Sequence, residues 1–193
     1  MTTPVFVSFW TPNYVAAGER LLASLKTHAP DWGVDVETLP HLGYWRRNVR
    51  QKPAFVLRKL KTWADRPVIW IDADAELVAL PTALLDIKTD VAAVKWTWPD
   101  RPITEVTTNL VYFAPTEMGR RMALRWVNAM ARDPYLSDQP VFNTELERSP
   151  DVSFTSLPVE YAFVTDIHGR FHPGARPVIL QHQRSRSEDK SSI

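Results

Sequence analysis

The chain has 193 residues, 23 of them basic and 22 acidic, for a formal net charge of +1. That near-balance argues against nucleic acid or a membrane surface as the main partner, and 45% hydrophobic residues suffice for one cored domain. The absence of cysteine excludes a disulfide framework and thiolate chemistry and is compatible with a cytoplasmic location. The amino terminus has neither the basic nor the apolar region of a signal peptide, and no run is long enough to span a membrane.

In chain order, residues 5–9 form a short β-branched apolar run before Thr11-Pro12 and read as a first buried strand. Residues 13–28 carry Val15, Leu21, Leu22 and Leu25 at helical spacing, with Pro30 as the stop. Residues 34–39 alternate apolar and acidic, as a second strand would, so the opening is the start of a parallel α/β unit. Residues 41–51 hold Tyr44, Trp45, Arg46, Arg47 and Arg50 and are too polar for core; they are expected to be a basic, aromatic loop, either solvated or closing over anionic phosphate. A helix is expected over 52–63, with Pro53 in its first turn and Lys52 at its start, where it could reach a ligand.

Further strands are expected at 91–96 and 107–113, with at most one helical turn over 82–85 and a loop over 97–104. Thr116 opens a helix whose buried side is Met118, Met122, Leu124, Trp126, Val127 and Met130, ended by Asp133-Pro134. A shorter helix runs from Ser137 or Asp138 as cap to Arg148. Residues 152–157 read as a strand, the stretch after them as loop, and 177–180 as a last apolar strand before Gln181-His182. Residues 1–183 are expected to form one domain, and 184–193 a polar tail.

The run Val68-Ile69-Trp70-Ile71 reads as a strand buried on both faces, and it ends in Asp72-Ala73-Asp74. In open α/β sheets ligands bind at the carboxyl ends of strands. Two Asp at i and i+2 point the same way on extended backbone and repel unless a cation lies between them or one is protonated. A hard divalent cation that also grips phosphate oxygens is the natural third party. Taken alone, the pattern is more simply met by one Asp capping the next element and the other solvated. His182 ends another apolar strand and offers an imidazole acceptable to Mn²⁺, or is a surface residue. Ser137-Asp138-Gln139, with Asn143 one turn on, groups hydroxyl, carboxylate and amide, as sugar hydroxyls require, or is a plain N-cap. Asn109, inside an apolar strand, must find a partner. His28 reads as a favourable charge at a helix end, and His41, His168 and His172 as loop residues.

Together these stretches resemble the GT-A-fold nucleotide-sugar-dependent glycosyltransferases of Asp-x-Asp type, the glycogenin and galactosyltransferase-like enzymes. The resemblance runs through Phe6 to Phe9, Lys52-Pro53, 68–75, 109–113, Ser137-Asp138-Gln139 and Leu180-Gln181-His182. It implies an α/β fold with a single domain whose central mixed, mostly parallel sheet is flanked by helices. It implies a UDP- or GDP-sugar donor and an unspecified acceptor hydroxyl. Mn²⁺ or Mg²⁺ would sit on Asp74, Asp72 and His182, Asp72 also serving the nucleotide. Asp138 and Gln139 would lie at the transferred sugar as catalytic residues. Ser8, Trp10, Thr11, Lys52, Arg46 and Arg47 complete the expected donor-binding set. Two other readings compete: a non-catalytic nucleotide- or carbohydrate-binding module on a transferase scaffold, and an Asp-x-Asp phosphohydrolase of haloacid-dehalogenase type. The latter places its motif near the amino terminus and has Thr or Val where this chain has Glu76.

Overall fold

A computed structural model describes residues 2–183; the segment 184–193, expected as a tail, lies outside the described residues. Six strands form one sheet in the order β2-β1-β3-β6-β5-β7. They are β1 (Val5–Trp10), β2 (Gly33–Thr38), β3 (Val68–Ile71), β5 (Val91–Thr97), β6 (Thr104–Phe113) and β7 (Phe154–Leu157). β6 pairs antiparallel with both β3 and β5, while the other three pairings are parallel, so β6 alone runs against the rest. A second sheet has only β4 (Ala75–Leu77) and β8 (Ile179–Gln181), paired antiparallel.

Both faces of the large sheet are covered, which explains why β1 and β3 read as continuous apolar runs rather than alternating ones. Val5, Val7, Phe9, Val68 and Trp70 pack with Phe55, Val56 and Leu60 of α3 (Lys52–Thr62) and Met122 and Trp126 of α4 (Glu117–Arg132). Phe6, Ile69 and Ile71 point the other way, against Leu21 and Leu25 of α1 (Val15–His28) and Leu77 and Ile179 of the small sheet. Period-2 alternation thus serves two cores at once. The helix α5 (Asp138–Glu147) packs on α4 through Trp126 and Phe142, whose rings stand 4.9 Å apart edge to face.

Several expectations are corrected. Residues 41–51 are not simply a loop: they contain a short helix, α2 (Trp45–Val49). Arg50 is committed to it structurally, donating to the carbonyls of Asp133 at 2.7 Å, Leu136 at 2.6 Å and Met130. The stretch after β7 holds a helix, α6 (Thr165–Phe171), where loop was expected. The first helix starts at Val15 after a 3₁₀ turn over Pro12–Tyr14, and Leu124, expected on the buried side of α4, is 46% exposed.

Gly18 on α1 is required by close approach. A Cβ there would lie 2.4 Å from the Trp10 ring, far inside contact distance. Gly18→Ala should therefore displace the Trp10 indole and cost about 1–3 kcal/mol in urea unfolding, the range for overpacking, despite alanine's better helix propensity.

On the edge strand β2, Arg58 grips Glu37 with two bonds of 2.7 and 2.8 Å, and Lys59 reaches both Glu37, at 2.6 Å, and Asp35. The Arg58 and then the Lys59 hydrogen bonds pull the Glu37 carboxyl from its ordinary 4.5 to about 2. A depressed acid stabilises the fold above its unfolded pKa, and that stability drains away as pH falls through the folded one. Glu37→Gln should thus destabilise above pH 4.5 by about 1 kcal/mol or less, because the pair is partly exposed, and the difference from wild type should close as pH approaches about 2. Acid melts of the two proteins side by side check it.

Candidate active site

The sheet opens a cavity of about 720 Å³ at the carboxyl ends of β1, β3 and β5 and the amino end of β6. This is where open α/β sheets bind ligands, and the volume suits a substrate pocket. Trp10 and Thr11 from the end of β1, Asp72 and Asp74 after β3, Lys52, Asp138 and Gln139 all line it. Seven of the expected site residues therefore meet in one cavity.

Lys52 ties them together from beneath. Its ammonium lies 2.7 Å from Asp138 Oδ2, 3.0 Å from Asp72 Oδ1 and donates to the Thr108 carbonyl at 3.1 Å. Its side chain is 5% exposed and held in a buried double ion pair, while the residue still lines the cavity. Burial alone would pull its pKa down, but the Asp138 and Asp72 carboxylates outweigh that and hold it above an ordinary lysine. Trp70 lies beneath the ammonium, 5.1 Å from ring centre to Nζ, and donates its own Nε1–H to Asp72 Oδ1 at 2.8 Å. Asp138 is fixed further by the Thr108 hydroxyl, 2.8 Å from Oδ2, and by Trp126 Nε1, which donates to its carbonyl at 3.0 Å. Gln139 accepts from Thr108 N at 3.3 Å and donates to Glu105 at 2.7 Å.

Asp72 keeps an edge open to the cavity, its side chain 31% exposed. Burial is the largest influence on it and raises its pKa; Asp74 and Asp138 add to that rise and Lys52 opposes it. The repulsion from Asp74 is the electrostatic fit for a cation held by two carboxylates in an oxygen-rich pocket. Among the described residues, however, no three His, Asp or Glu side chains stand together as a metal set. His182 donates its backbone N–H to the Asp74 carbonyl at 3.1 Å, yet its imidazole is engaged with Glu76, 2.8 Å away, rather than with Asp72 and Asp74.

Three other expected residues lie elsewhere. Ser8 is wholly buried, outside the cavity lining, with its hydroxyl donated to the Ile71 carbonyl at 2.7 Å. Its place in β1, two residues after Phe6, puts it on the same sheet face as that ring rather than over the strand's end. Arg46 and Arg47 are exposed on α2, the latter over the Tyr44 ring at 5.1 Å, while Tyr44, Trp45 and Asn48 of the same segment line the cavity.

Sequence reasoning missed Trp96, Trp98, Glu105, His168 and Gln181, all of which line the cavity. The signal for the first three was available: they flank the loop joining β5 to β6, at the sheet end where ligands bind. His168 gave none. It is 4% exposed on α6, accepts from the Val164 N–H through Nδ1 at 2.9 Å, and packs on Trp96 at 4.4 Å.

Comparison with known proteins agrees with the fold. The chain has the overall fold of a glycosyltransferase involved in glycosylating the major capsid of PBCV-1, with TM-score 0.74, 10% identity and 96% of each chain covered. It also matches the glycosyltransferase GlyE of Streptococcus pneumoniae TIGR4, with TM-score 0.65 and 15% identity, where all of this chain covers 57% of that one. The bifunctional glycosyltransferase WbbM aligns at TM-score 0.58 and 15% identity, over 94% of this chain and 46% of its own length. No curated protein matches by sequence. The family model for nucleotide-diphospho-sugar transferases covers residues 60–190, from the end of α3 through β3 and the Asp-x-Asp and past the last strand. The chain belongs to that family, and it is a glycosyltransferase.

Proposed function

We propose that the protein moves a sugar from a UDP- or GDP-sugar to an acceptor hydroxyl with the help of a divalent cation. The observation that carries this is the convergence of Asp72, Asp74 and Asp138 on one cavity at the sheet's carboxyl end, with Lys52 joining two of them. The acceptor oxygen bonds to the anomeric carbon, the bond from that carbon to the diphosphate breaks, and the acceptor's proton leaves for a base or the departing diphosphate. Trp10, Thr11 and Tyr44 wall the end of the cavity that suits a nucleotide base and ribose. Arg46 and Arg47 add positive charge at its rim, and Asp138 and Gln139 orient the transferred sugar. Asp72 and Asp74 would hold Mn²⁺ or Mg²⁺, joined by His182 where its imidazole leaves Glu76, and the metal would neutralise the leaving diphosphate. No described helix is long and apolar enough to cross a membrane, and the cysteine-free composition is compatible with a cytoplasmic location.

Calorimetric titration of UDP and GDP with and without Mn²⁺, followed by a donor screen reading nucleoside diphosphate release, tests the reading. Metal-dependent nucleotide binding with donor turnover is the expected result. Phosphatase activity with indifference to nucleotide, or sugar binding alone, would replace it by a competing class. His182→Ala should lower turnover only about tenfold, since water can fill a vacated ligand position and Asp72 and Asp74 remain; a metal titration of activity reads the weakened dependence.

A further inference from the structure

Four side chains lining the cavity end in buried polar atoms that have no partner in the protein. Trp96 and Gln181 are each 5% exposed, yet the indole Nε1 and the amide Nε2 are unpaired. Asn109 Oδ1 and Gln183 Oε1 are unpaired as well. Among the described residues only one other atom of this kind occurs, Gln51 Nε2, and it lies outside the cavity lining. Each such group costs about 1–3 kcal/mol when left unsatisfied, so their sharing one cavity marks it as a place where bound molecules supply the partners. Two of the four are donors and two are acceptors. An anion would serve only the donors and a cation only the acceptors, whereas hydroxyl groups serve both.

The surroundings are aromatic. The Trp96 ring lies 6.0 Å from Trp98, 4.4 Å from His168 and 5.5 Å from His172. Trp98 is held by its Nε1–H bond to Glu105 at 2.8 Å, and the Arg101 guanidinium covers one face at 3.8 Å. Uncharged donors and acceptors beside indole rings suit a molecule with hydroxyls on its edge and C–H groups on its face. Position separates Trp96 and Trp98 from the donor's place. In the sheet, β3 and β6 lie between β1 and β5, which puts about 14 Å between the ends of the outer two. The nucleotide belongs at β1 and the diphosphate at β3; the transferred sugar then lies over β6, beside Asn109, and Trp96 and Trp98 stand one strand beyond it.

We infer that the acceptor is itself a neutral carbohydrate whose terminal sugar docks over β5, with Trp96 Nε1 donating to one of its hydroxyls and Trp98 as an apolar wall. The inference rests on the transferase reading above and names the acceptor class that reading leaves open.

The probes are methyl glycosides of neutral hexoses, methyl glucuronide and a short Ser/Thr peptide. Each is measured by saturation-transfer NMR on the full chain, with UDP and GDP plus Mn²⁺ titrated onto the same wild-type sample. A neutral methyl glycoside should bind. Trp96→Phe, which keeps a ring but removes the donor, should weaken it about tenfold, a loss of the size of one hydrogen bond. Should that variant fail to fold by near-UV circular dichroism, Trp98→Ala, at a half-exposed position, carries the same expectation. Nucleotide binding without any neutral glycoside binding, or binding of the peptide or glucuronide alone, overturns the inference and leaves the transferase reading standing. Glycoside affinity unchanged in the folded variant also overturns it. Failure of every nucleotide to bind removes the reading and the inference with it.

Discussion

Lys52→Met should cost the protein about 3–5 kcal/mol in urea unfolding and nearly all of its turnover. The side chain keeps its volume and its packing on Trp70, so the loss is electrostatic. Asp138, with a side chain 6% exposed, would be left facing Asp72 with no cation between them. Breaking a buried pair from one side leaves an uncompensated charge, which is far costlier than the pair's net worth. The double variant Lys52→Met/Asp138→Asn checks the assignment, because it removes one of the stranded charges. Its stability loss should be smaller than that of Lys52→Met alone, a departure from additivity expected of groups in direct contact. A loss below about 1 kcal/mol for the single variant would mean that water reaches the cluster and screens it.

Asp74→Asn should do the opposite, ending turnover while sparing the fold. The amide has the same shape, lines the same cavity and removes a negative charge from beside Asp72. Relief of that repulsion should leave the melting temperature unchanged or raise it. Without the charge the site loses its hold on a divalent cation and on the diphosphate, so kcat/KM should fall by about 10²–10³-fold or more. Calorimetry should show nucleoside diphosphate and Mn²⁺ binding cooperatively to wild type and independently, weakly or not at all to the variant. Full activity in Asp74→Asn, or in wild type under excess chelator, would remove the metal from the scheme.

The strands and long helices were legible because their signals are local. The apolar run at β3, the amphipathic spacing of α4 and Pro53 in the first turn of α3 each fix an element without reference to the rest of the chain. What was not legible is held from a distance. α2 is five residues long, too short to be stable alone, and Arg50 anchors it to carbonyls 80 to 86 positions away. α6 is polar and contains Gly169, and it is seated by the packing of His168 on Trp96. Lys52 stood at a helix start in the sequence, as a ligand-seeking lysine would. Its burial follows from Asp138, 86 residues later, and no periodicity reports that. The Asp-x-Asp pair was visible as a motif, but the engagement of His182 with Glu76 was not, because it depends on how β8 lies against β4.

That short pairing has a consequence for biosynthesis. Asp74 belongs to the first half of the chain, yet the wall beside it is made by Gln181 and Gln183, which a ribosome delivers more than a hundred residues later. The six-stranded sheet can assemble on the emerging chain once β7 is out, because its pairings end at Leu157. The cavity cannot close until β8 finds β4. A nascent chain stalled before residue 179 would display the six-stranded sheet and no complete site, so catalytic competence trails the growing core rather than emerging with it.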